Sequence, residues 1–126
     1  MHPESAAEFR LPRSPEAGRL ARTFVEDLVR PHLSDNATGN LKMVVAELVN
    51  NAVLHGEGEI VLRAEIRANA VHVEVVDEGS GATPSIRKDP QPDALGGWGL
   101  RTVDALASRW GTFEGSTHVW ADVPLR

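Results

Sequence analysis

The stretch LKMVVAELVNNAVLHGEGEIVLRAEIRANAVHVEVVD, residues Leu41 to Asp77, decides the fold, because its hydrophobic period changes partway along. Leu41, Val44, Val45, Leu48, Val49 and Ala52 recur at spacings of three and four, which places them on one buried face of a helix. Gly56 is expected to end that helix, and Asp35 or Asn36 to cap its start. From Glu59 the period becomes two: Ile60, Leu62, Ala64 and Ile66 alternate with Val61, Arg63, Glu65 and Arg67. After a tight turn at Ala68-Asn69, Val71, Val73 and Val75 continue the alternation, so two strands form a hairpin that ends at Asp77.

Upstream, Ser14-Pro15-Glu16 reads as an N-cap, a proline at the first helical position and an acidic first turn. The helix it opens carries Ala17, Leu20, Ala21, Phe24 and Leu28 as its expected buried stripe and ends near Arg30, before Pro31. Glu8 to Leu11 forms a short edge strand closed by Pro12, and Met1 to Ala7, without a periodic pattern, is expected to be loose. Downstream, Glu78 to Gly96 is rich in glycine, proline and charge and has no period, which is expected of a functional loop or lid. Leu100, Val103, Leu106, Ala107 and Trp110 mark a third helix. Thr112 to Phe113 and Thr117 to Val123 then read as a last hairpin turning at Glu114-Gly115. This order predicts an α+β two-layer sandwich, with three main helices on one face of a mixed, mostly antiparallel sheet.

A chain of 126 residues has room for one domain, here residues 1–126, with a proper core and no second folded module. Its net charge of -5, with no basic patch, argues against binding nucleic acid or an anionic membrane surface. With no cysteine, disulfides and thiolate metal sites are excluded. His2, His32, His55, His72 and His118 lack metal-ligand spacing, so surface or structural roles are expected of them. Met1 to Arg13 lacks the apolar core of a signal peptide and no stretch approaches a membrane span, so a cytoplasmic location is the default expectation. No GxxxxGK[ST] string occurs, and Gly97-Trp98-Gly99 lacks the third glycine and the preceding strand of a dinucleotide fingerprint.

Glu47, Asn51 and His55 lie four apart and form one polar row beside the apolar stripe of their helix, whereas Asn50 points away from the packed side. A carboxylate there can accept a proton from a nucleophile, and an amide oxygen one turn away can coordinate a hard cation such as Mg²⁺. Asp77, at a strand end, can accept a hydrogen bond from an amino group, with Gly79 and Gly81 permitting close backbone approach. Gly96-Gly97-Trp98-Gly99 opens a helix whose N-terminal amides suit phosphate, and Gly115-Ser116-Thr117 can offer a hydroxyl at the final turn. Taken alone, the polar row reads better as a solvated helix flank and Asp77-Glu78-Gly79-Ser80-Gly81 as an ordinary turn, and the other two segments are equally a loop-to-helix joint and a turn before a strand. Their order along the chain carries the functional reading.

In that order the segments resemble the boxes of the Bergerat-fold ATPases, the superfamily of gyrase and the histidine kinases, over about residues 15 to 124. The resemblance implies ATP and Mg²⁺ as ligands. Glu47-Leu48-Val49-Asn50-Asn51-Ala52 looks like the N box, which implies that Glu47 is the base or water-orienting carboxylate and Asn51 the Mg²⁺ ligand, with His55 beside the nucleotide. Asp77, Gly79 and Gly81 look like the first glycine box, whose aspartate takes the adenine amino group. Gly97-Trp98-Gly99-Leu100 resembles the second box beside the phosphates, and Thr117 the hydroxyl residue of the last. Asn51-Ala52-Val53-Leu54-His55-Gly56, the short lid and the one-domain length are similar to the stand-alone anti-sigma factor kinases. That likeness implies a serine/threonine kinase acting on an anti-anti-sigma partner and restraining a sigma factor, and it implies a homodimer. The alternative reading is a non-catalytic, nucleotide-gated module that sequesters a regulatory partner, because Glu47 is compatible with both.

Overall fold

In a computed structural model, described over residues 6–78, 95–112 and 118–126, the change of period near Glu59 marks the passage from helix to sheet. The elements in chain order are β1 (Ala6–Leu11), α1 (Ala17–Val29), α2 (Asp35–His55), β2 (Ile60–Ile66), β3 (Ala70–Val76), α3 (Leu95–Leu106), β4 (Arg109–Thr112) and β5 (Val119–Pro124). The sheet runs β1-β2-β3-β5-β4, and every described pairing is antiparallel, where the sequence allowed a mixed sheet. Arg67 N–H donates to the Ala70 carbonyl at 2.8 Å, closing the expected turn at Ala68-Asn69.

The registers Leu62↔Val75 and Val73↔Ala121 align the alternating side chains of neighbouring strands. Ile60, Leu62, Ala64, Val71, Val73, Val75, Val119, Ala121 and Val123 therefore share one buried face. The helices close over it, and Leu41, Val44, Val45, Leu48 and Val49 of α2 join the same core as Val25 and Val29 of α1 and Leu100 and Val103 of α3. Full burial of one such side chain contributes about 1.5–3 kcal/mol, so this shared layer outweighs any single cap or surface ion pair. Arg63, Glu65, His72, Glu74, Trp120 and Asp122 occupy the alternate positions and make the other face of the sheet polar.

Five expectations shift. Helix α1 begins at Ala17 with Glu16, not Ser14, at its N-cap and no side-chain cap bond; Ala17 N–H donates to the Ser14 carbonyl at 3.1 Å, so Ser14-Pro15-Glu16 forms a turn before the helix and the first helical turn carries no acid. The cap of α2 is Ser34, one residue before the expected Asp35: its backbone is extended (φ -66°, ψ 162°) and its Oγ accepts from Ala37 N–H at 3.1 Å. Asp35 then stands in the first turn, where a carboxylate meets the positive end of the helix dipole. The stripe of α1 is rotated, with Ala17, Gly18, Ala21, Val25 and Val29 buried and Leu20, Phe24 and Leu28 at its half-buried border. That border faces β1, whose Phe9 stacks on Phe24 with ring centroids 4.8 Å apart.

Ala6 and Ala7, expected to be loose, pair with Glu65 and Ala64, so β1 begins earlier than Glu8. Trp110, expected on the third helix, lies on β4 instead. Ala107 N–H closes α3 onto the Val103 carbonyl, and Ser108 N–H already donates to Asp122 of β5, so ladder pairing takes over before Trp110 is reached. Trp110 still packs against the core, and its indole N–H donates to Asp104 at 2.9 Å. The expected turn at Glu114-Gly115 and most of the expected lid lie outside the described residues. No described helix is long and apolar enough to cross a membrane.

Candidate functional site

Helix α2 is held by its apolar face in the middle of the core, and that fixes the rotation of its polar row. Asn51 is buried, Glu47 is half-buried, and Asn50 between them is exposed, as the helical spacing predicts. Among the described residues Glu47 has no hydrogen-bond or ion-pair partner, and the Asn51 Nδ2 is buried without one. An unsatisfied buried polar group costs about 1–3 kcal/mol, and most buried amides avoid it. An orphaned amide one turn from an unengaged carboxylate fits a place that a polar ligand completes. The orphaned Nδ2 is an N–H donor and suits an acceptor such as a phosphate oxygen, whereas the amide oxygen of Asn51 and the Glu47 carboxylate are the oxygen ligands that suit Mg²⁺.

Asp77 follows the last residue of β3, and its side chain is 0% exposed. It rests on the C-terminus of α2 at Gly56. A Cβ added there would fall 2.5 Å from Asp77 Cγ and 2.8 Å from the Ala52 carbonyl oxygen, so only glycine allows this approach. The backbone φ of Gly56 is an ordinary -95°, so the requirement is space. Because α2 rises about 1.5 Å per residue, Asp77, Asn51 and Glu47 sit at successive levels spread over roughly 13 Å of the helix axis. Two distant segments thus bring the expected base-recognising acid to the helix that carries the expected metal ligand and base.

The connection between α2 and β2 is braced onto the residues after β3. Gly58 has φ +70°, Glu78 N–H donates to the Glu57 carbonyl at 2.8 Å, and Glu59 N–H donates to the Glu78 carboxylate at 2.5 Å. Sequence reasoning missed Arg13, which stands between β1 and α1. Its Nη1 donates to the carbonyls of Ala52 and Val53, its Nε donates to the Gly58 carbonyl at 2.9 Å, and its Nη2 lies 3.7 Å from the Asp77 carboxylate. A lone arginine in a proline-serine turn carries no sequence signal for this.

Of the other expected site residues, Leu100 is fully buried in the core, so its side chain anchors α3. Gly97, Trp98 and Gly99 lie on the first turns of α3, as expected of a helix opened by glycines, and only their backbone course is described. His55 is the last residue of α2; its side chain lies outside the described set, as do Gly79, Gly81 and Thr117. Among the described residues no group of His, Asp and Glu is arranged to hold a metal by itself. A family model described as histidine kinase-like ATPase domain matches residues 11–121. No curated protein matches the chain.

Proposed function

We propose, since this chain belongs to the histidine kinase-like ATPase domain family, that it is an ATP-binding regulator with protein kinase activity. The acceptor is a serine or threonine hydroxyl on an anti-anti-sigma partner, and the unmodified partner competes with a sigma factor for the chain. The observation that carries the nucleotide site is the Asn51 Nδ2, buried and without a hydrogen-bond partner among the described residues, one turn from Glu47 and on the helix against which Asp77 is packed. Asn51 would hold Mg²⁺ through its amide oxygen, and the ion would supply charge neutralisation at the phosphates. Asp77 accepts a hydrogen bond from the exocyclic amino group of adenine, and the backbone amides that open α3 at Gly97 and Gly99 would meet the phosphates; the resemblance adds the Thr117 hydroxyl, which lies outside the described residues.

Phosphoryl transfer has a loose transition state, so such a site works mainly by positioning and charge neutralisation. Glu47 orients the acceptor hydroxyl and takes its proton as the new phosphorus–oxygen bond forms and the bond to the β-phosphate oxygen breaks. Calorimetry with ATP and Mg²⁺ tests the nucleotide site. Incubation with γ-labelled ATP and a co-encoded small partner tests the transfer. Label on a partner serine or threonine is the expected result; ATP binding and partner capture without any label would establish the nucleotide-gated module in its place.

A further inference from the structure

The C-terminal turn of α2 gathers negative charge. Its last carbonyls carry the negative end of the helix dipole. Asp77 adds a carboxylate with no solvent exposure, pressed onto the same turn at Gly56. A buried anion beside lone pairs is tolerated only where a cation compensates it. The described cation at that place is Arg13, whose side chain is 26% exposed and whose Nη2 is itself buried.

The fork of the guanidinium makes the arrangement specific. Nε and Nη1 are spent on the Gly58, Ala52 and Val53 carbonyls, which anchor the plane of the group across the end of α2. Among the described residues Nη2 has no hydrogen bond, and its ion-pair partner is Asp77 Oδ2 at 3.7 Å, beyond hydrogen-bond length but well within ion-pair range. A lysine supplies one point charge and cannot span three carbonyls and a carboxylate at once.

We propose that Arg13 is the positioning residue for base recognition. It clamps the Asp77 carboxylate and the end of α2 into one rigid unit, so that the acid is held where it discriminates a 6-amino from a 6-oxo purine. This assignment rests on the nucleotide reading given above and deepens it. A carboxylate can accept from an amino group but meets a 6-oxo group lone pair to lone pair. A site built to satisfy a ligand N–H rejects analogues lacking it only while its own polar groups stay in place. A loosened carboxylate can turn aside, and the discrimination is lost before the binding is.

The test measures ATP and ITP affinity by calorimetry, with Mg²⁺, for the full chain and for Arg13→Met and Arg13→Lys, each checked for folding by circular dichroism. The wild type should prefer ATP. Arg13→Met should weaken ATP binding about 10-fold or more while ITP affinity changes less than about 2-fold, since a hydrogen bond to a charged group is at stake. Arg13→Lys should fall between the two. If Arg13→Met does not fold, Arg13→Lys decides: reduced preference for ATP supports the assignment. Equal weakening of both nucleotides, or no change, overturns it. A wild type that binds neither nucleotide overturns the nucleotide reading and this assignment with it, whereas ATP binding with full preference kept in the variants overturns this assignment alone.

Discussion

Glu47 and Asn51 occupy one flank of α2 a single turn apart, yet the structure treats them differently, with the amide buried and the carboxylate half-buried and unengaged. In the proposed function Asn51 serves binding and Glu47 the chemistry. Glu47→Ala should leave ATP affinity within about 2-fold and lower transfer to the partner by roughly 10²–10⁴, the usual contribution of a positioned base. Single-turnover labelling beside calorimetry checks this, and a parallel loss of affinity would remove Glu47 from the role of base. Gly56 makes the complementary case, because its value is the empty space that Asp77 fills. Gly56→Ala should destabilise the fold by about 1–3 kcal/mol, the usual cost of overpacking, and weaken ATP binding as Asp77 is pushed off the helix end. Urea denaturation and calorimetry would expose the error if both quantities stayed at the wild-type value.

At the scale of elements, α2 is the organising piece, since one face builds the core, its flank carries Glu47 and Asn51, and its end receives Asp77 and Arg13. Its start depends on Ser34. Ser34→Ala should cost about 1 kcal/mol, whereas Asp35→Ala, which loses only a charge near the dipole, should cost about half of that or less. A shift in urea midpoint at unchanged slope is the readout, and a larger loss for Asp35→Ala would reverse the assignment of the cap. The length and phase of α2 were legible in its apolar spacing, but the cap was read one residue late because Ser34, Asp35 and Asn36 can all fill that role by residue type. The rotation of α1 was not legible, because Leu20, Phe24 and Leu28 compete with Val25 and Val29, and docking beside β1 decides among them.

Across the whole molecule, the sheet separates two environments, with helices and core on one side and a charged network on the other. On the polar face His72 bridges Asp122 at 2.6 Å and Glu74 at 2.8 Å, His118 reaches Glu74 at 2.8 Å, and Arg109 donates to Asp122 at 2.9 Å. Burial raises both carboxyls, but hydrogen bonds from His72 and His118 outweigh it at Glu74, and those from His72 and Arg109 outweigh it at Asp122. Both are held below their ordinary values. A carboxyl lowered in this way stabilises the fold fully above its unfolded pKa, near 4, and loses that contribution as pH falls through the folded value. The melting temperature should therefore drop below about pH 4, and less steeply for Asp122→Asn; coincident acid limbs would show that this network is not responsible. The sequence alone determined the helix-to-sheet order and which residues stand on the polar flank of α2, because hydrophobic period is written between neighbours two to four positions apart. Only the tertiary structure decided that Arg13 and Gly56 belong beside Asp77 and that histidines link acids on the open face. Those contacts join residues dozens of positions apart, and they exist only once the elements have docked and buried charge must find its counter-charge.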